Sequence, residues 1–160
     1  MAAEYSANAE QLVAANGNVI FTESPVPCNR GLIYHRDESG VFRLASPRLI
    51  NGVRRGGCCC NLPEAIYQVS FSANIAVPED PAGTVEEISL ALALDGAVDP
   101  SSTMRFTPAA VGDYGGVSTV ILVSVPWICG CESVSVVNTS DQAINVQNAN
   151  IVFNFVGIRR

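Results

Sequence analysis

Cysteine is the most conspicuous chemistry in this chain of 160 residues, which carries Cys28, Cys58, Cys59, Cys60, Cys129 and Cys131. An even number in clusters points to disulfides or to a metal. The spacing suits a structural zinc site poorly, because such a site draws on two separated Cys pairs or on added His. Here there is one CxC and one CCC run. On a strand, Cys129 and Cys131 share a face with Gly130 between them, while Cys58 and Cys60 point together and Cys59 points away. Links between the two clusters or between subunits are both compatible with that geometry. Reduced thiols are the expectation for an intracellular product and disulfides for a released one, with metal as the third reading. No metal or other cofactor is assigned.

The remaining candidates for chemistry are few. His35 is the single histidine, so any Ser, His, Asp or Cys, His arrangement must pass through it. It lies between Tyr34 and Arg36 in a predicted strand, where a structural or exposed role is expected. Glu86 and Glu87 are adjacent, so on a strand they face opposite ways and do not flank one bond as paired carboxylates. Asp80, Asp95 and Asp99 fall in predicted turns, without the spaced ligands of a calcium loop. Phosphate-binding glycine loops, a nucleophile elbow and HExxH are all missing from the sequence. The chain is therefore not read as an enzyme.

All nine basic residues are arginine. Arg54 and Arg55, with Arg48 nearby, suit carboxylates on a partner protein or an anionic glycan, and the alternative is solubilising loop charge. Trp127 and Tyr114 are the loop aromatics, and Arg54, Arg55 and Trp127 are the candidate partner-binding residues. Asn138, Thr139 and Ser140 match a glycosylation acceptor, a pattern that is frequent by chance and needs a secretory route.

Composition narrows the class further. The hydrophobic fraction is 48%, the charged fraction 15% and the mean hydropathy +0.27, so part of the apolar surface is expected to meet a partner. A net charge of −6 argues against nucleic acid, whose binding is driven by clustered cations. Met1 to Asn16 has no basic opening and no continuous apolar core, so no secretory signal is predicted. No apolar run is long enough to insert in a membrane. Synthesis in a cytosol, followed by arrival on a virion or an extracellular surface, is the expected route.

The elements that must position these groups are strands. Ile66 to Val77 places Tyr67, Val69, Phe71, Ala73, Ile75 and Val77 on one parity and Gln68, Ser70, Ser72 and Asn74 on the other, the period of a strand with one buried face. Residues 1–17 are read as an N-terminal tail or arm, either loose or a short helix, ahead of a domain over 18–160. Asn18 to Glu23 reads as a short strand ended by Pro25 and Pro27. Gly31 to Arg36 and Gly40 to Ala45 form a predicted hairpin around Asp37, Glu38 and Ser39. Pro47 to Leu62 is an irregular excursion. Further strands are predicted over Val85 to Leu94, Thr103 to Thr107, Val117 to Val125, Glu132 to Asn138 and Ile144 to Val156. In the last, the apolar parity changes, and a bulge near Gln147 to Ala149 accounts for it.

About eight to ten antiparallel strands with Gly and Pro punctuation and no long helix indicate an all-β sandwich, and a single jelly roll fits the count. The order of signals, with a YQVSFSANIAV centre, then ISLALALDG, then a terminal run ending IVFNFVGI, resembles the tumour necrosis factor and complement globular-head superfamily. The resemblance covers about Asn18 to Ile158. It implies a tumour necrosis factor-like jelly roll that packs as a homotrimer around a three-fold axis. The chain also looks like bacterial and bacteriophage versions of this module, which occur as tips, fibres or surface decorations.

The residues support the trimer independently. On a three-fold axis each side chain meets its own copies, which amides and small apolar groups tolerate and charges do not. The terminal strand, with Asn145, Gln147, Asn148, Asn150 and Asn154 among Val and Phe, suits that rule, and the alternative reading of those amides is a solvated outer face. The expected interface comprises Tyr67, Val69, Phe71, Asn148, Asn150, Ile151, Phe153 and Phe155. The function expected is structural assembly with itself and with other virion or surface proteins. The alternative is a receptor- or glycan-binding module of the same fold.

Overall fold

The computed structural model describes residues 1–28, 31–46, 64–126 and 131–159. Among them are twelve strands: β1 (Ala2–Ala7), β2 (Gln11–Val13), β3 (Glu23–Val26), β4 (Ile33–His35), β5 (Val41–Ala45), β6 (Glu64–Ala76), β7 (Ile88–Leu94), β8 (Ala97–Val98), β9 (Met104–Phe106), β10 (Gly115–Pro126), β11 (Cys131–Asn138) and β12 (Ile144–Arg159). Short pieces such as β2, β8 and β9 raise the number above the expected eight to ten. The first sheet runs β10-β6-β12-β1-β3, with β2 also pairing β12. The second runs β4-β5-β11-β7-β8, with β9 also pairing β7. All pairings are antiparallel. No helix among the described residues is long and apolar enough to cross a membrane.

The expected central strand is β6, held between β10 and β12. Its alternation becomes a clean division of faces, with Ala65, Tyr67, Val69, Phe71, Ala73 and Ile75 buried against the second sheet. Phe42 on β5 anchors that contact. Its ring lies 4.9 Å from Phe153, 4.9 Å from Tyr5 and 5.2 Å from Phe21, in tilted or edge arrangements that suit aromatic quadrupoles. The predicted hairpin is β4–β5. In its turn, a Cβ added to Gly40 would stand 2.6 Å from Asn18 Cβ and 2.8 Å from Val19 O, so the second sheet needs glycine there.

The bulge in the last strand is present. Its register against β6 shifts between Gln147 and Asn150, and Asn148 takes a positive φ of 52°. Asn is one of the few residues that enters the left-handed region readily. The shift lets Ile144 and Val146 before it, and Ala149, Ile151 and Phe153 after it, all face the core.

The N-terminal segment differs from expectation. Instead of a loose tail or short helix, residues 2–7 form β1, paired with β12 from Ala2↔Asn154 to Ala7↔Ala149. Ala3, Tyr5 and Ala7 are buried and alternate with more polar neighbours. That period of two is hidden in the sequence by alanine, which favours helix locally until a neighbouring strand offers its ladder. The strand expected at Asn18 to Glu23 is also displaced. Val19 and Phe21 are buried as the alternation requires, but residues 18–22 make only isolated bridges, Asn18 to Val137 and Phe21 to Ser39, and Glu23 already belongs to β3. The paired strand is β3, which includes Pro25. Proline is tolerated there because β3 is an edge.

Candidate assembly interface

The outward face of the first sheet is ordered in rows fixed by register. Leu122, Gln68, Asn154 and Ala2 form one row across β10, β6, β12 and β1. Val120, Ser70, Val152 and Glu4 form the next, and Ser118, Ser72, Asn150 and Ser6 the one after. In these rows Glu4 is the single ionisable group, and its Oε1 accepts from Asn150 Nδ2 at 2.6 Å. Leu122 is 68% exposed and Val120 60%, large values for branched apolar side chains on a regular strand, and Val156, also 60% exposed, stands where the β12 register shifts. Toward one pole, Glu64 accepts from Ser124 Oγ at 2.7 Å and lies 3.9 Å from Arg159 Nε.

The expected interface residues divide between two faces. Tyr67, Val69, Phe71, Ile151 and Phe153 are at most 2% exposed and point into the sandwich, so they pack the core and are not free to meet another copy. Phe155 is half-buried with its ring edge-on to Tyr67 at 5.6 Å. Asn148 is exposed at the bulge, and Asn150 lies half-buried on the outward face. The physical reason is the two-sided nature of a strand. An apolar parity marks the better-buried face, and within a sandwich the second sheet claims it first. Val120 and Leu122 were missed, although a signal was available. In β10 the run Val120, Ile121, Leu122, Val123 is apolar on both parities, which marks a strand with two apolar faces.

Of the thiols, Cys28 is half-buried, with its sulfur 3.7 Å from Met1 Sδ and the side chain packed against the core. Exposed Cys131 opens β11 opposite Ala45. Cys58, Cys59, Cys60 and Cys129 lie outside the described residues, as do the partner-binding candidates Arg54, Arg55 and Trp127. Near Cys28, the Tyr67 hydroxyl donates to Ala45 O at 2.5 Å. Burial, with a smaller contribution from the Cys28 charge, pushes the Tyr67 phenol up to about 12.

The other polar residues singled out by sequence have structural partners. His35 stacks on Phe42 at 4.4 Å, and its Nε2 donates to Ser39 O at 2.9 Å. Asp99 caps a 3-10 turn at Pro100–Ser102, and Asp95 accepts from both the backbone N–H and the hydroxyl of Ser133. Glu87 pairs with Arg105 at 2.7 Å. Tyr114 donates its hydroxyl to Glu10; burial and that hydrogen bond raise its phenol to about 12. Asn138 is fully buried. Its Nδ2 donates to Val13 O at 3.0 Å and Gln142 O at 2.8 Å, and its Oδ1 accepts from Ser140 N at 2.9 Å. In the folded chain this asparagine is a core pin rather than a glycan acceptor.

Two antiparallel sheets in this order form a jelly roll whose fold is tumour necrosis factor-like. The globular domain of zebrafish complement 1qA protein superposes with a TM-score of 0.60 at 11% identity, covering 99% of this chain and 98% of that one. Murine APRIL superposes at 0.58 and 7% identity, covering 98% and 100%. These likenesses concern the fold. A family 35 carbohydrate binding module from Clostridium thermocellum aligns at a TM-score of only 0.35, too low to carry an argument. No protein-family model matches the chain, and no curated protein matches it in sequence.

Proposed function

We propose that the protein is a structural assembly module, a homotrimer whose copies pack through the outer faces of their β10-β6-β12-β1-β3 sheets. The observation that carries this reading is the placing of exposed Val120 and Leu122 among amide and hydroxyl neighbours, in three rows across β10, β6, β12 and β1 where Glu4 is the lone ionisable group and Glu23 enters only at the β3 edge beside Ser6. Such a surface costs little to desolvate and does not repel its own copies, whereas exposed in a monomer it is an apolar liability. The fold it shares with the complement 1qA globular domain and APRIL supports the reading, because the resemblance implies packing around a three-fold axis.

The place of display proposed is a bacteriophage virion, as decoration, fibre or tip, or a bacterial surface. A rigid trimer with few exposed charges on its packing face is suited to such a role. Mass in solution, measured with and without reductant, tests the assembly. A trimer under both conditions is expected, with its cohesion in packed strands, and a monomer under both refutes it. Co-purification with particles after lysis tests the display, and a protein found only free in the soluble fraction would exclude it.

A further inference from the structure

The second sheet carries a separate surface feature on its β4–β5 hairpin. Arg36 and Arg43 line an open hollow of about 430 Å3 together with Tyr34, Ser39 and Val41. Register explains why they meet. Tyr34 is the direct partner of Arg43, and the next pair, His35 and Phe42, turns inward and stacks, which leaves the other parity facing out.

The platform is held in shape by its own turn. Ser39 N donates to Arg36 O at 3.0 Å, Val41 N donates to Ser39 Oγ at 3.1 Å, and His35 grips Ser39 O. Arg105 and Arg159 have carboxylate partners, whereas among the described residues neither Arg36 nor Arg43 is in an ion pair. Asp37 and Glu38, in the same turn, do not line the hollow. Tyr34 is 61% exposed, an unusual position for an aromatic ring that contributes nothing to the core.

We propose that this hollow binds anionic saccharide units, pyranoses bearing a carboxylate or a sulfate. A guanidinium is a fixed fork of donors that matches the oxygens of either group, and a phenol ring offers the flat apolar face against which a sugar ring rests. The volume falls within the range of small-ligand pockets. An acidic peptide would use the arginines but would gain little from Tyr34, which is the observation that favours the saccharide. The site lies on the second sheet, so it does not depend on how the first sheet assembles.

Calorimetric titration of the intact chain with polygalacturonate and with dextran sulfate tests the proposal and separates the carboxylate from the sulfate source. Neutral dextran and poly-glutamate serve as controls. Binding to at least one anionic saccharide and none to neutral dextran is expected. The double variant Arg36→Ala with Arg43→Ala should weaken it at least about 10-fold, as loss of charge-assisted hydrogen bonds implies. Tyr34→Ala should weaken it about 5-fold, the scale of a lost aromatic contact. All three side chains are on the surface, so an unchanged circular dichroism spectrum shows that the variants fold. No binding to either polymer, binding indifferent to the double variant, or equal binding of poly-glutamate unaffected by Tyr34→Ala would each overturn the assignment, the last in favour of an acidic protein.

Discussion

Leu122→Glu is the sharpest perturbation of the proposed assembly. Leu122 is 68% exposed in the isolated chain, so about two-thirds of its side chain is still available for burial by a neighbour. Full burial of a leucine contributes about 1.5–3 kcal/mol, which leaves roughly 1–2 kcal/mol per copy and roughly 3–6 kcal/mol per trimer. That alone lowers the assembly constant by roughly a hundred- to ten-thousand-fold. Three new carboxylates brought together near one axis add repulsion in the same direction. The fold of the single chain should be almost untouched, since exposed substitutions of this kind usually shift stability by no more than about 0.5 kcal/mol. Sedimentation equilibrium over a range of concentrations reads the effect, with Val98→Glu on the opposite sheet, where Val98 is 42% exposed, as the control. A monomeric Leu122→Glu beside a trimeric control is the expected outcome. The reasoning fails if Leu122→Glu assembles as the parent does, or if the control dissociates equally.

Other consequences follow from single contacts. Tyr67→Phe removes the hydroxyl that donates to Ala45 O and should cost about 1 kcal/mol in denaturant unfolding at neutral pH. The Tyr67 phenol is raised from 10.0 to about 12, so its stabilising contribution is fully present below pH 10 and is lost as pH rises through about 12. Between those values the Phe variant should therefore lose less stability than the parent, and parallel alkaline losses would count against the assignment. Gly40→Ala should destabilise by about 1–3 kcal/mol, because the new methyl meets Asn18 Cβ and the Val19 carbonyl; an unchanged melting temperature would show that this turn relaxes freely. Asn138→Ala leaves the buried carbonyl of Val13 and the half-buried carbonyl of Gln142 without their donor and should cost about 2 kcal/mol, read by chemical denaturation.

Much of the architecture is legible in the residues themselves because strand formation has a local signature. Alternation in β6, the hairpin around Gly40 and the parity change at Asn148 are all properties of consecutive side chains, and each appears at or near its expected place. Cys58, Cys59, Cys60 and Cys129 and the pair Arg54, Arg55 lie outside the described residues.

What only the tertiary structure decided is which partner each face meets. A period of two says that a strand has an apolar side; it does not say whether that side is taken by the second sheet or by another copy. The register of β12 against β6 and of β6 against β10 sends Tyr67, Val69, Phe71, Ile151 and Phe153 inward and leaves Leu122 and Val120 outside. The same holds for Ala2–Ala7, whose alanines carry too little local preference to declare a strand until the ladder of β12 is beside them. It also holds for Tyr34, Arg36 and Arg43, separate in sequence and joined into one hollow by the pairing of β4 with β5. Local chemistry thus determined the strands, and long-range pairing determined the surfaces they present.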